Sequence, residues 1–263
     1  MQPKHFWILA ALTLVASCGG NGEPAASQGA ATETPVAVED IAAGASVPES
    51  DVATGAPAPA ATSVLANDSG ASPTSARFQL GTHYTRLSPT QPTSSSPDKV
   101  EVTEIFWYGC PHCFAFDPYV KSWESKKPEY VSFVRIPAVW NPLAKMHARA
   151  FYTAEALGKG AEMHDAFFRE INENRNLLDT EEKLQAFFGK FGVDAAAFKS
   201  QFDSFAVHTK LQRADELSRR YRIESVPTIV VNGKYSTDGG MAGSYDDLFA
   251  LVGELATSER AGK

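Results

Sequence analysis

Residues 104–118 read EIFWYGCPHCFAFDP, and the order of residue types within them decides the fold. The run KVEVTEIFWY, Lys99 to Tyr108, is rich in β-branched and aromatic residues and predicts a buried strand. Gly109 breaks it. Pro111 then stands where a helix begins, because its missing N–H is one that a first turn leaves unpaired anyway. Phe114, Phe116, Tyr119, Val120 and Trp123 follow at the spacing of an apolar helical stripe. Cys110 is thereby placed at a strand–helix junction, near a helix N-terminus, with Cys113 one turn further on.

Downstream, YVSFVRIPAV, Tyr130 to Val139, predicts a second strand. Strand–helix–strand implies a parallel pair with a right-handed crossover. From 141 to about 222 the apolar residues recur at helical spacing, with breaks at Gly158, Gly160, Gly189 and Gly192. Helix faces bearing Trp140, Met146 and Phe151 are expected in the core. SVPTIVVNGKYST, residues 225–237, returns to strands, with Asn232-Gly233 as a hairpin turn. A last helix is expected from about Tyr245 to Leu255. The fold class is α/β, and repeats are absent.

The N-terminal third is a different kind of polymer. Residues 1–17 carry Lys4 and an uncharged stretch from Phe6 to Ala16. That stretch is shorter than the roughly 20 residues of a membrane span and fits a secretory signal. Val15-Ala16-Ser17-Cys18 resembles a lipobox, so Cys18 is expected to carry lipid; the alternative is an ordinary signal peptide with an incidental cysteine. Residues 19–76 contain seven acids, no Lys or Arg and no aromatic residue. Such a composition buries too little apolar surface to offset ordering entropy, and 18–76 is expected to be a disordered tether with a root-mean-square span of about 40 Å. Setting those acids and Lys4 aside leaves 23 bases against 24 acids in residues 77–263, so the net charge of −7 belongs to the tether. The balance gives no sign of nucleic-acid binding.

If Cys18 is lipidated, Cys110 and Cys113 remain. A disulfide between them closes too small a loop to serve well as a staple, whereas redox exchange suits an exported pair. Cys110 would have unpaired backbone N–H groups and the positive end of the helix dipole beside its sulfur, and His112 adds a ring that can charge or donate. A zinc clip needs four ligands. There is no second Cys pair and no His-x3–5-His, so no metal and no other cofactor is expected. His83, His147, His164 and His208 have no partner motif and read as surface or core residues.

EIFWYGCPHCFAFDP and ESVPTIVVNGKY together resemble the active-site and proline-loop segments of the DsbA family of periplasmic thiol:disulfide oxidoreductases. The resemblance covers 77–263 and implies a thioredoxin-like fold with an inserted helical domain at about 141–222. It further implies that a substrate thiolate attacks Cys110, that Cys113 is the buried partner that leaves, and that Pro111 and His112 tune the pair. Pro227 is implied to follow a cis Val226–Pro227 bond beside the cysteines, leaving Val226 backbone groups for a substrate strand. Valine before this proline goes with oxidases, threonine with isomerases.

Glu104, six residues before Cys110, lies in the buried strand, where a carboxylate is costly unless paired or protonated. In the family an acid here assists proton movement, with a lysine nearby. This chain offers Arg135 instead, which stays protonated; the other reading is a structural Glu104–Arg135 pair. The implied partners are reduced exported proteins as substrates and a quinone-linked membrane oxidase of the DsbB type, with the chain a monomer, its tether standing where isomerases carry a dimerisation module. The expected place is the periplasm, on a lipid anchor, and Gly19 in place of aspartate after Cys18 tilts towards the outer membrane. The rivals are a thiol reductase or isomerase of the same fold and, from another class, a metal-binding lipoprotein with incidental cysteines.

Overall fold

A computed structural model describes residues 77–262. The signal segment 1–17, Cys18 and the tether 18–76 lie outside the described residues.

Five strands form one mixed sheet in the order β1-β5-β4-β2-β3. β2 (Val100–Phe106) runs parallel to β3 (Val131–Pro137), and α1 (Pro111–Glu124) connects them. β4 (Thr228–Val231) pairs antiparallel with β2 on its other side, and β5 (Tyr235–Thr237) antiparallel with β4. The two-residue β1 (Thr85–Arg86) closes the edge against β5. Between β3 and β4 the chain makes five helices: α2 (Pro142–Ala156), α3 (Gly160–Asn172), α4 (Glu181–Gly189), α5 (Ala195–Phe202) and α6 (Phe205–Arg220). The short α7 (Gly239–Ala242) and the long α8 (Tyr245–Ala261) follow the hairpin. This is a thioredoxin-like arrangement with a helical block inserted.

Every residue of β2 is buried; its apolar residues fill the core, and its two acids are paired there, Glu101 with the N–H groups of Ser94 and Ser95 and Glu104 with Arg135. Alternation along β4 sends Ile229 and Val231 into the core under α8, and Val230 into the core shared with the helical block. Full burial of each such side chain contributes about 1.5–3 kcal/mol. Strand β2 stops at Phe106, two residues before the expected end. The Cys110 N–H donates to Trp107 O at 3.0 Å, so the chain is already turning at 107–110. At the Asn232-Gly233 turn both residues have positive φ, 52° and 64°. A Cβ on Gly233 would stand 2.1 Å from the Gln91 carbonyl oxygen, so only glycine fits.

Two expectations are corrected. Trp140 is not core: it lies in the β3–α2 loop just before the helix-capping Asn141 and is 45 % exposed, while Phe151 is buried and Met146 partly so. α8 continues six residues beyond Leu255. Its polar end is held by tertiary bonds: Glu259 accepts from Asn232 Nδ2 at 2.7 Å and Lys234 Nζ at 2.8 Å, and Arg260 donates to Asp98 O at 2.8 Å.

Candidate active site

Most helices here carry a side-chain cap. Asn141, Thr180, Asp194, Ser204 and Ser244 each accept a hydrogen bond from a first-turn N–H of the helix that follows. Cys110 occupies the corresponding position of α1 and makes no side-chain cap bond. No acid stands in the first turn of α1, and Pro111 opens it. The helix therefore leaves its unpaired N–H groups and positive dipole end to the Cys110 sulfur.

The sulfur is enclosed more than the sequence suggests. Cys110 is only 9 % exposed, Cys113 is fully buried behind it, and the two thiols are not bonded to each other. A hydrogen bond from Cys113, opposed by partial burial and helped by the backbone N–H groups of Cys113 and His112 and by the His112 ring, lowers Cys110 to about 6. Burial, and then the neighbouring Cys110, pushes the Cys113 thiol far above the ordinary range. One cysteine is thus a thiolate at neutral pH and the other a thiol.

Val226 and Pro227 arrive from the far end of the helical block. Their peptide bond is cis, and Cys110 Sγ donates to the Val226 carbonyl at 3.5 Å. A cavity of about 630 Å³ opens beside them, lined among others by His112, Tyr119, Val226, Pro227 and Tyr245. His112 is exposed at its rim, and Pro111 before it is exposed as well. On the other side of Cys110, Gly109 leaves room for the Trp107 indole: a Cβ there would stand 2.4 Å from it, so one of the two would have to shift. That indole donates to His147 Nδ1 at 3.1 Å, and His147 Nε2 donates to Leu177 O at 2.8 Å. His147 is a buried structural residue.

Beneath the pair, Glu104 is 2 % exposed and accepts from Arg135 Nε at 3.1 Å. Burial, opposed by Arg135 but reinforced by the charges of Asp117 and Glu124, raises its carboxyl to about 7. Glu104 is near enough to Cys113 for its charge to raise that thiol further.

Of the residues singled out in the sequence, Cys110, Pro111, His112, Val226 and Pro227 therefore gather at one surface, Cys113 is buried behind Cys110, Glu104 lies below the pair, and Cys18 is outside the described residues. Missed by the sequence reading were Tyr119 and Tyr245 on the cavity wall and the buried trio Tyr108, Asp117 and His164. Asp117 carried a faint signal, an acid on the buried stripe of α1 four residues before Lys121. The others are brought together from separations of 47 and 56 residues and carried none.

Residues 131–256 match the family model described as DSBA-like thioredoxin domain. The thiol:disulfide interchange protein DsbA of Pseudomonas aeruginosa is 40 % identical over 184 residues, 70 % of this chain and 87 % of the relative. That of Azotobacter vinelandii is 38 % identical over 203 residues, 77 % of this chain and 94 % of the relative. The crystal structure of Pseudomonas aeruginosa DsbA superimposes with a TM-score of 0.67 at 39 % identity, covering 70 % of this chain and 96 % of that one.

Proposed function

Because this chain belongs to the DsbA family and is a thiol:disulfide oxidoreductase that introduces disulfide bonds, we propose that its exchange runs through Cys110 and Cys113 with the following division of roles. In the oxidised enzyme a substrate thiolate attacks Cys110 Sγ, and Cys113 leaves as a thiolate that takes up a proton. A second substrate thiolate then attacks the substrate sulfur of the mixed disulfide and expels the Cys110 thiolate. The substrate leaves oxidised by two electrons, and the enzyme is left with its dithiol. The observation that carries this reading is the capless N-terminus of α1: only the reduced state offers it an anion, so the reduced state is favoured and the disulfide is a strong oxidant.

His112 contributes charge at the rim, and Pro111 supplies the first helical residue without an N–H that would need a partner. The Val226 carbonyl, freed when the Cys110 proton is lost, faces an incoming extended segment, which would pair with it as an added strand. For re-oxidation Cys113 must lose its proton again, and Glu104, poised at about 7, is the base.

The substrates on this reading are reduced exported proteins, and a quinone-linked DsbB-type membrane oxidase restores the disulfide. The chain works as a monomer in the periplasm, held through lipid on Cys18, with the outer membrane favoured by Gly19. The lipobox-like Val15-Ala16-Ser17-Cys18 supports that anchor. Incubation of the oxidised protein with a reduced, unfolded disulfide-containing protein tests the exchange: regain of the substrate's native disulfides is expected with the wild type and not with Cys110→Ala. Metabolic labelling with a fatty acid tests the anchor; incorporation should be lost in Cys18→Ser.

A further inference from the structure

One of the contacts between the helical block and the reaction centre is made by a buried histidine. His164 of α3 is 6 % exposed; its Nδ1 lies 2.9 Å from the Tyr108 hydroxyl and its Nε2 3.1 Å from Asp117 Oδ1. Asp117 is held at about 2: hydrogen bonds from His164 and Lys121 outweigh the cost of its burial. As a carboxylate it only accepts, so His164 Nε2 carries the hydrogen and Nδ1 accepts from the Tyr108 O–H. Tyr108 is gripped a second time from the same helix, by Asn172 Nδ2 on its carbonyl at 2.9 Å.

The same Asp117 oxygen faces Arg135. Nη2 of that guanidinium stands 3.5 Å away, beyond a good hydrogen bond, and is a buried nitrogen with no hydrogen-bond partner among the described residues. An orphaned guanidinium N–H is costly, and an anion lies almost within its reach. The carboxylate is held at both oxygens, Oδ1 by His164 Nε2 and Oδ2 by Lys121 Nζ at 2.7 Å, and in that pose it stands short of Nη2. Arg135 consequently makes its hydrogen bond to Glu104 alone, with Glu124 Oε2 at 3.6 Å from Nη1.

We propose that His164 is a positioning residue of the exchange reaction: by holding Asp117 off Arg135 it keeps the guanidinium on Glu104, and so sets the pH at which Cys113 gives up its proton. This rests on the reading of Glu104 as the base for Cys113. The charged or titratable groups that bear on Glu104 are Arg135 from β3, Asp117, Glu124 and Cys113 from α1, and Tyr108 from the β2–α1 loop, with His164 of α3 and Lys121 of α1 one step out, on Asp117. Without His164, Asp117 turns to the orphaned Nη2, Arg135 is shared between two carboxylates, and Glu104 holds its proton to higher pH. Without the Asp117 charge, its repulsion of the Glu104 carboxylate is gone and the proton is lost at lower pH.

The step to follow is closure. Glutathione disulfide converts the reduced protein into a mixed disulfide at Cys110. Cys113 then gives its proton to Glu104 and attacks the Cys110 sulfur; the Cys110–glutathione bond breaks and glutathione leaves as thiolate. The closure rate is measured against pH in purified full-length chain. Its acid limb is expected to move up by on the order of one pH unit in His164→Leu, slowing closure up to about tenfold at the foot of the limb. In Asp117→Asn the limb should move down. His164→Gln, whose amide can donate to Asp117 and accept from Tyr108, should stay close to the wild type.

A His164→Leu protein with a cooperative melt and an unmoved limb overturns the proposal, as does a His164→Gln protein shifted as far as the leucine variant. If the leucine variant fails to fold, the asparagine variant decides: a limb that does not move down overturns it. Glu104→Gln separates the two readings. If it keeps the wild-type limb, Glu104 is not the base, whatever His164 does.

Discussion

Cys110 Sγ lies 3.5 Å from the carbonyl oxygen of Val226, a residue 116 positions further along the chain. The whole helical block intervenes between the two, and the sheet brings them together because β4 pairs directly with β2. The contact gives the sulfur two neighbours of opposite preference. The α1 N-terminus favours the thiolate, while the carbonyl accepts only from the thiol. With Cys110 lowered to about 6 by the hydrogen bond from Cys113 together with the helix N–H groups, the thiolate is favoured at neutral pH.

That balance has a consequence for stability. A thiol whose folded pKa is depressed contributes stability that is fully present above its unfolded value of 9.0 and is lost as pH falls through about 6. Between those limits the reduced domain should gain on the oxidised one by up to about 1.4 kcal/mol per pH unit. Urea melts of both redox forms at several pH values measure this. A stability difference that does not change from pH 6 to pH 8.5 would contradict it.

Replacing Cys113 by alanine removes the neighbour that closes on Cys110 and its hydrogen bond. Mixed disulfides with substrate proteins should then accumulate through Cys110 and disappear on treatment with dithiothreitol. Non-reducing gels of extracts read the outcome, and adducts appearing in Cys110→Ala instead would reverse the two roles.

His112→Ser should raise the Cys110 pKa above about 6, since a nearby positive charge is lost while the helix N–H groups stay. Titration of the thiolate by its ultraviolet absorbance gives the shift directly. The hydrogen bond from Cys113 ranks above the His112 charge, so Cys113→Ala should raise it more.

Gly109→Ala places a methyl group where the Trp107 indole already lies. Either the indole leaves its bond to His147 or the loop carrying Cys110 moves. Destabilisation of about 1–3 kcal/mol is expected, the usual cost of overpacking, together with a changed Trp fluorescence and slower exchange. An unaltered melt would show that the indole moves freely.

Legibility in the sequence followed the range of the interactions. The β2–α1 junction was readable because strand propensity, a glycine break, a proline start and an apolar stripe all act within a dozen residues. The Asn232-Gly233 turn was readable for the same reason, since a turn is local chemistry. β1 was not, because two residues carry no periodicity and its partner lies about 150 residues away. The end of α8 was missed because bonds from Asn232 and Lys234 hold it, not an apolar face. Glu104 and Arg135 were suggested by a costly buried acid, and their register across β2 and β3 places them side by side. Of the trio Tyr108, Asp117 and His164 only Asp117 left a faint trace, since a histidine among apolar helical positions looks like any core residue.

Stabilisation of the Cys110 thiolate by the α1 N-terminus should make the Cys110–Cys113 disulfide an oxidant, and the reduction potential of that pair measures this. Equilibration with glutathione buffers should give a value well above that of thioredoxin, about −270 mV. A potential at or below thioredoxin's would mean that the helix end does not favour the reduced pair and that the chain donates electrons instead of disulfides.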